Sequence, residues 1–449
     1  MLAIAILAAG KGTRMKSKHP KVLQILGGKP LIKRVYSVSQ KLNPERTLVI
    51  VGHDAEKVME SLSDEEGIEY VHQKEQKGTG HAIQQLLDPL KSFEGDLLVL
   101  NGDVPLLEIK TLEELISLKK ETKSSASFIS AQLKDPSGYG RVIKGPNKSA
   151  IAIKEERDCN QEEQKIDLIN CGVYCFDWQS LRQSLDQITS NNAQNEIYLT
   201  DAISLLNNCT HYKVADSTQI QGVNDRLDLN KCESIIQEKV KTKLMKAGVS
   251  FIDLNSCSIS EEAEFGIDVT IEPQTHIKGS SKIGNDCSLG PNTLIEDSIL
   301  NDNVNVSMSV VRNSTIESGV NIGPFSNIRP ESKIDRNCCI GNFVEIKKSK
   351  ISEGTKVNHL SYIGDAVIGN GVNIGAGTIT ANYDGKRKHL TEIGDFTKTG
   401  ANSVLVAPII IGANVTIGAG STLTKDVPNG SLALARAKQF IKSGWFTAN

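Results

Sequence analysis

Leu2-Ala-Ile-Ala-Ile-Leu-Ala-Ala-Gly10-Lys-Gly-Thr-Arg14-Met-Lys-Ser-Lys-His-Pro20-Lys-Val-Leu23 joins two stretches of opposite character. Leu2–Ala9 is an unbroken apolar run with the length and composition of a strand buried on both faces of a parallel sheet. At Gly10 the run breaks into Gly-Lys-Gly-Thr-Arg, where two glycines let the backbone approach a ligand closely. Lys16, Lys18 and Lys21 follow, and Pro20 fixes the turn before the last of them. Bare backbone amides beside converging Lys and Arg side chains suit a polyphosphate. The loop fits neither GxxxxGK[ST] nor GxGxxG.

Outward from this loop, short β-rich runs alternate with amphipathic segments. Residues 47–51, 96–100 and 126–130 read as strands and 112–120 as a helix. The alternation predicts a mostly parallel sheet with helices on both faces, which binds ligands at the carboxyl ends of its strands. Gln73 and the Gly78-Thr79 turn precede a helical run, although Thr79 alone is equally a helix N-cap. Asn101-Gly102-Asp103 closes a strand. A carboxylate there suits a Mg²⁺ shared with substrate phosphates, or merely starts the turn before Pro105. Gly140 marks a glycine hinge, Glu155 and Asn170 lie on or near the next extended runs, and Asn224 precedes a helix.

Residues 226–248 carry Leu229, Cys232, Ile236, Val240, Leu244 and Ala247 near one helical stripe, with Gly248 as the stop. Beyond it a six-residue period takes over. Phe265, Ile271, Ile277, Ile283, Leu289 and Ile295 open it, and Ile316, Ile322, Ile328, Ile334, Ile340 and Ile346 resume it after a phase shift. Ile351, Val357, Ile363, Ile368, Ile374, Leu405, Ile411 and Ile417 extend it. Each hexad predicts one short strand with its aliphatic inward, and three hexads one coil of a stacked triangular prism. Phase breaks predict loops, the longest over 382–390. Polar residues interrupt the pattern at Arg329, Lys347, His359, Tyr362, Asn373, Asn382 and Tyr383.

The first motif resembles the L-x-x-G-x-G-T-R-M-x-x-x-x-P-K signature of nucleotidyltransferases that make nucleoside-diphosphate sugars. With the later motifs, the whole chain is similar to the bifunctional bacterial enzymes of UDP-N-acetylglucosamine synthesis. The resemblance implies a Rossmann-like, doubly wound α/β nucleotidyltransferase domain over 1–226. A linker helix follows over 227–247, then a left-handed parallel β-helix of hexapeptide repeats over 248–449. It implies that Leu7, Ala8, Ala9, Gly10, Gln73, Gly78, Thr79, Asn101 and Gly102 hold the uridine nucleotide. Lys21 and Arg14 would neutralise phosphate charge, Asp103 and Asn224 hold Mg²⁺, and Gly140, Glu155 and Asn170 hold the sugar. In the second domain it makes His359 the general base that deprotonates the amine of glucosamine 1-phosphate. Arg329, Lys347, Tyr362 and Asn373 would grip that sugar phosphate, and Ala376, Asn382, Tyr383, Ala401, Ala419 and Arg436 would line the acetyl-CoA site. Relatives can carry Ser where Ala401 stands and Tyr where Asn101 stands. The implied substrates are glucosamine 1-phosphate, N-acetylglucosamine 1-phosphate, UTP and acetyl-CoA. The implied assembly is a homotrimer through the β-helix, and Trp445 in the tail is a candidate for packing on a neighbouring subunit.

Composition bounds the alternatives. Over 449 residues a net charge of −2 argues against a nucleic-acid binder, and no apolar stretch is long enough to span a bilayer. The apolar start has no charged region before it and no cleavage pattern, so it does not read as a signal peptide. Nine cysteines without a CxxC pair point to reduced thiols in a cytoplasmic protein, and Cys171-x-x-x-Cys175 has no His or Cys cluster beside it to hold a metal. A prism serving only as scaffold would have no use for His359, Lys347 and Asn382-Tyr383 together. A lattice-binding prism would need a threonine ladder that the hexads lack.

Overall fold

The computed structural model describes residues 1–144 and 150–446; the end of the tail, 447–449, lies outside the described residues. The chain forms two compact units, Met1–Ile235 and Ile236–Asn449, and the division falls inside the helix Arg226–Lys246. On that helix Cys232, Ile236 and Leu244 are buried, whereas Ala247 lies past its end and is exposed. Lys241 is buried too, and its ammonium donates to the Leu254 carbonyl at 2.7 Å.

The first unit is built on β1 (Leu2–Ala8), β2 (Arg46–Val51), β3 (Ile68–His72), β4 (Asp96–Asn101), β5 (Ala126–Gln132), β6 (Arg141–Lys144), β7 (Ala150–Lys154), β8 (Leu168–Asp177) and β9 (Cys209–Lys213). The strands run in the order β9-β5-β8-β4-β1-β2-β3, with β6 pairing on β8 and β7 on β6. Successive side chains of a strand point to opposite faces. Ala3 and Ala5 of β1 therefore join one core with Leu48, Val99, Phe128 and Trp178, while Ile4 and Ile6 join the other with Val49, Leu98 and Ile129. Both cores are apolar, as the uninterrupted apolar runs require. The expected parallel order holds for β1 with β2 and β4, for β2 with β3 and for β5 with β9. It fails at β8, which lies antiparallel between β4 and β5. β6 and β7 form an antiparallel pair just ahead of β8. The ladder of β8 with β5 shifts register between Asn170 and Tyr174, a bulge that places Asn170 inside a strand rather than beyond its end.

The second unit is a prism of three parallel sheets in which each strand pairs with the one three strands later through most of its length. The first face runs from Ser250–Phe251 to Asn373–Ile374, the second from Ser258–Ile259 to Thr422–Leu423, and the third from Glu264–Phe265 to Ile409–Ile411. The hexad aliphatics stack into one continuous core, in which Ile271, Leu289, Ile328 and Ile346 have no exposed surface. Fully burying each such side chain contributes roughly 1.5–3 kcal/mol. The gap between Ile295 and Ile316 is filled by Leu300, Val306 and Val311, all buried, in a stretch where all but one of the steps shorten to five residues. Two positions before many aliphatics a buried Ser or Thr satisfies a corner carbonyl. Ser281 Oγ donates to Lys278 O at 2.8 Å, and Thr355 Oγ1 to Gly369 O at 2.7 Å. Residues 382–390 leave the prism between Ile379–Ala381 and Thr391–Ile393, where the loop was expected.

Candidate active sites

The carboxyl ends of β1, β3 and β4 open into one cleft. Leu7, Ala8, Ala9, Gly10, Lys21, Gln73, Gly78, Thr79, Asn101 and Asp103 line a cavity of about 510 Å³. Leu7, Arg14, Thr79, Asn101, Asp103, Gly140, Glu155, Asn170 and Asn224 line an adjoining one of about 550 Å³. The residues common to both linings, Leu7, Thr79, Asn101 and Asp103, make these two parts of a single cleft. Gly102 lines neither cavity; its N–H donates to Leu7 O at 2.9 Å and ties β4 to β1 behind the wall. Gln73 is buried, and its amide donates to Gly78 O at 3.1 Å, shaping the turn. Gly78 has φ +106°, and a Cβ there would stand 2.5 Å from the Ile197 carbonyl oxygen, so only glycine lets the two segments meet. Thr79 is not the N-cap: it begins the helix Thr79–Gln84, and its Oγ1 accepts from Leu199 N–H at 3.1 Å.

Charge converges at the junction of the two cavities. Lys21 Nζ bonds to Asp103 Oδ2 and lies 3.4 Å from Asn224 Oδ1, which also accepts from Arg14 at 2.9 Å. In the second cavity, burial raises the carboxyl pKa of Glu155 above the usual carboxylate range, opposed by a hydrogen bond that Thr200 Oγ1 donates at 3.2 Å. Asn170 Nδ2 donates to the Tyr174 hydroxyl at 2.7 Å, and its backbone N–H to Gly140 O at 2.8 Å.

In the prism most of the residues expected at a site from the sequence fall along the two edges of the second face. On the edge shared with the first face lie His359, Ala376, Ala401 and Ala419, one coil after another. Gly377 N–H donates to His359 O, Asn402 N–H to Ala376 O and Gly420 N–H to Ala401 O. Arg436 reaches this edge by donating to Ala419 O at 2.8 Å. The His359 side chain is exposed, and no hydrogen bond reaches its imidazole among the described residues. On the opposite edge gather Arg329, Lys347, Tyr362 and Asn382. Arg329 pairs with Glu345 at 2.7 Å, Lys347 with Asp365 at 3.4 Å, and Asn382 Nδ2 reaches the Tyr362 hydroxyl at 3.4 Å. Tyr362 starts three residues after His359, and its ring lies over Gly364, where a Cβ would collide with the hydroxyl. It thus spans the face from one edge toward the other.

Asn373 does not join this group within one chain: it begins a strand of the first face, in register with Lys356. Tyr383 is exposed, with its hydroxyl bonded to Gly385 O at 2.7 Å, and Trp445 is exposed with Lys442 Nζ 5.0 Å from its ring centroid. The sequence reading missed Asp365, Gly364 and Lys388. The Lys388 ammonium is held below the usual lysine pKa, first by the adjoining Lys347. Two ammonium groups against a single carboxylate favour an anion between them.

A cleft on a mostly parallel sheet, lined by Arg14, Lys21, Asp103 and Asn224, and a polar-edged hexapeptide prism point to a nucleotidyltransferase joined to a hexapeptide transferase. Comparison with known proteins agrees. Residues 3–220 match the nucleotidyl transferase family model, and residues 313–348 and 390–425 match the bacterial transferase hexapeptide (six repeats) model. The bifunctional protein GlmU of Prochlorococcus marinus (strain MIT 9211) is 58% identical over 447 residues, covering 100% of this chain and 99% of that protein. The bifunctional protein GlmU of Synechococcus sp. (strain RCC307) is 54% identical, covering 99% of each. The chain belongs to the GlmU family of bifunctional enzymes. Its second domain N-acetylates glucosamine 1-phosphate from acetyl-CoA, and its first joins the product to UMP from UTP with release of pyrophosphate.

Proposed function

We propose that the two charge-bearing sites divide these steps as follows. In the first unit the loop Leu7–Gly10, with Gln73 and Gly78-Thr79, seats the uridine nucleotide, and Gly140, Glu155 and Asn170 seat the sugar. A phosphate oxygen of N-acetylglucosamine 1-phosphate attacks the α-phosphorus of UTP in line. The attacking oxygen is already anionic, so positioning and charge neutralisation carry the catalysis and no strong base is needed. Arg14 and Lys21 neutralise the charge that develops on the phosphates. Asp103 and Asn224 fit a Mg²⁺ by their donor set: one carboxylate and one amide oxygen, converging so closely that the Lys21 ammonium reaches both. Such an ion would add Lewis-acid stabilisation of the phosphates. The convergence of Arg14, Lys21, Asp103 and Asn224 at the meeting of two cavities is the observation that carries this reading.

In the prism, Arg329, Lys347, Lys388, Tyr362 and Asn373 hold the amino-sugar phosphate, and Ala376, Asn382, Tyr383, Ala401, Ala419 and Arg436 line the acetyl-CoA site. His359 takes a proton from the amine as its nitrogen attacks the thioester carbonyl; the carbon–sulfur bond breaks and the thiol leaves. The enzyme acts in the cytoplasm, which suits nine cysteines without a disulfide. No helix among the described residues is long and apolar enough to cross a membrane.

The experiment that tests this reading supplies glucosamine 1-phosphate, acetyl-CoA, UTP and Mg²⁺, and follows thiol, pyrophosphate and UDP-N-acetylglucosamine. All three are expected to appear together. Without acetyl-CoA no thiol forms, and without UTP acetylation continues alone. Pyrophosphate released without acetyl-CoA at the full rate would overturn the order.

Homotrimerisation through the prism is supported by an apolar ladder on the His359 edge. Met308, Phe325, Phe343 and Leu360 occupy successive corners with φ from +43° to +62°, where Gln274, Asn292, Gly377, Asn402 and Gly420 stand in the other coils. Left-handed backbone costs a bulky residue about 1–2 kcal/mol. Phe325 and Phe343 are nonetheless more than half exposed, their rings stacked 5.2 Å apart. A second copy of the chain on this ladder would cover it and bring its own residues to His359. Phe343→Asp is expected to convert trimer to monomer in sedimentation, with thiol release falling in parallel and uridylyl transfer retained. An unchanged sedimentation coefficient would place the interface elsewhere.

A further inference from the structure

Asp365 sits on the edge between the second and third faces, directly after Gly364, with a side chain only 14% exposed. Four contacts meet on this residue. Its carboxylate accepts from Asn382 Nδ2 and from Lys347 Nζ, its N–H donates to Lys347 O at 3.0 Å, and its carbonyl accepts from Thr391 N–H at 3.1 Å. Asn382 and Thr391 are the two roots of the loop 382–390, so one residue fastens both. The far part of the loop is organised separately. Asp384 accepts from the backbone N–H groups of Lys386 and Arg387 and from His389, each at 2.7 Å, and these bonds hold its carboxyl well below the usual range. With the tip braced, the roots at Asn382 and Thr391 set where the loop stands, and Lys388, carried on it, faces Lys347.

We propose that Asp365 is a positioning residue for acetyl transfer. By holding Lys347 and both roots of the loop, it sets the spacing of Lys347 and Lys388 around the phosphate of the amino sugar and orients Asn382 toward the second substrate. The inference rests on the acetyl-transfer reading above and deepens it. The physical need is electrostatic. Two ammonium groups brought together repel, and a carboxylate placed beside them offsets one charge and leaves the other for the incoming phosphate. An amide at this position would still occupy the space and could accept from Asn382, but would offset no charge.

The test is Asp365→Asn in the full-length enzyme, read by thiol release and by hydrogen exchange. Loss of one charge-assisted contact predicts a KM for glucosamine 1-phosphate raised on the order of 10- to 100-fold. The kcat at saturation is expected to fall far less, because His359 is untouched. In a Lys347→Ala background the same substitution is expected to add little, since the two residues act as a unit. Exchange at residues 382–391 is expected to quicken while the rest of the prism is unchanged. That readout needs no turnover, so it tests the fastening even if acetyl transfer were absent from the wild type, an outcome that would refute the underlying reading instead. An unchanged KM, or full additivity with Lys347→Ala, would overturn the proposal. So would a uniform rise in exchange across the prism, the signature of a merely structural residue.

Discussion

His359→Ala is expected to lower thiol release from acetyl-CoA by about 10²- to 10⁴-fold, the usual range for loss of a positioned general base. Uridylyl transfer is expected to stay at the wild-type rate. The separation follows from the architecture, because His359 lies on an edge of the second unit and the residues proposed for uridylyl transfer line a cleft of the first. The size of the effect follows from the lack of a substitute. His389, the imidazole carried on the loop 382–390, is bonded to Asp384 at 2.7 Å. The Arg329 and Lys347 side chains are cations with no lone pair to offer at neutral pH. Of the nine cysteines all but Cys339 are buried, and burial raises the thiol pKa of Cys287 and Cys338, which leaves those two poor nucleophiles. Truncation at an exposed position leaves no cavity in the core, so the melting temperature is expected to be unchanged. Residual thiol release within about threefold of wild type would show that the amine loses its proton to another group.

The two large features of the fold were legible for different reasons. The apolar run Leu2–Ala9 and its glycine break are local, and a buried parallel strand with a ligand loop after it leaves few other readings. The prism was legible because its core is written once per hexad, and Ile271 and Ile346 are the same kind of position several coils apart. Where steps shorten to five, as at Leu300 and Val311, the period alone lost the thread, although pairing in space continues unbroken. The direction of β8 was not legible, because a strand buried on both faces carries no pattern that distinguishes parallel from antiparallel neighbours.

The sites divide in the same way. Residues set in unusual local sequence, such as Lys21 after Pro20, Asp103 after Gly102 and Tyr362 after His359, stood out, and the structure brings them to two clusters. Asp365 did not stand out, because Ile363-Gly-Asp365 reads like Ile393-Gly-Asp395, an ordinary corner. Asp395 does only corner work, accepting from Asn370 N–H at 2.7 Å. What distinguishes Asp365 is the loop inserted after it in space, which hexad periodicity does not encode. Asn373 shows the converse limit: it belongs to the polar set by sequence, yet one chain alone leaves it on a different face from Lys347.

Two substitutions at the nucleotide cleft are expected to have opposite effects on metal binding and the same effect on catalysis. The Lys21 ammonium bonds to the two oxygens, on Asp103 and Asn224, that a divalent ion would take, so the two cations compete for one pair of donors. Asp103→Ala removes the only carboxylate of the pair and is expected to abolish saturable Mn²⁺ binding to the protein without nucleotide. Lys21→Met removes the competitor and is expected to tighten that binding. Coulomb attraction between the pair is strong in a cleft where Lys21 and Asp103 are each about four-fifths buried, so the competing ion must displace a well-held ammonium. Both variants are nevertheless expected to lose uridylyl transfer by about 10²- to 10³-fold or more, because each removes charge stabilisation from the phosphates in the transition state. Acetyl transfer by the same variants serves as the control and should be unchanged. Mn²⁺ titrations followed by paramagnetic relaxation separate the alternatives. If Asp103→Ala binds Mn²⁺ as the wild type does, the ion sits elsewhere. If Lys21→Met weakens binding instead, Lys21 shapes the metal site rather than contending for it, and its contact with Asp103 is a support that must persist when substrate arrives.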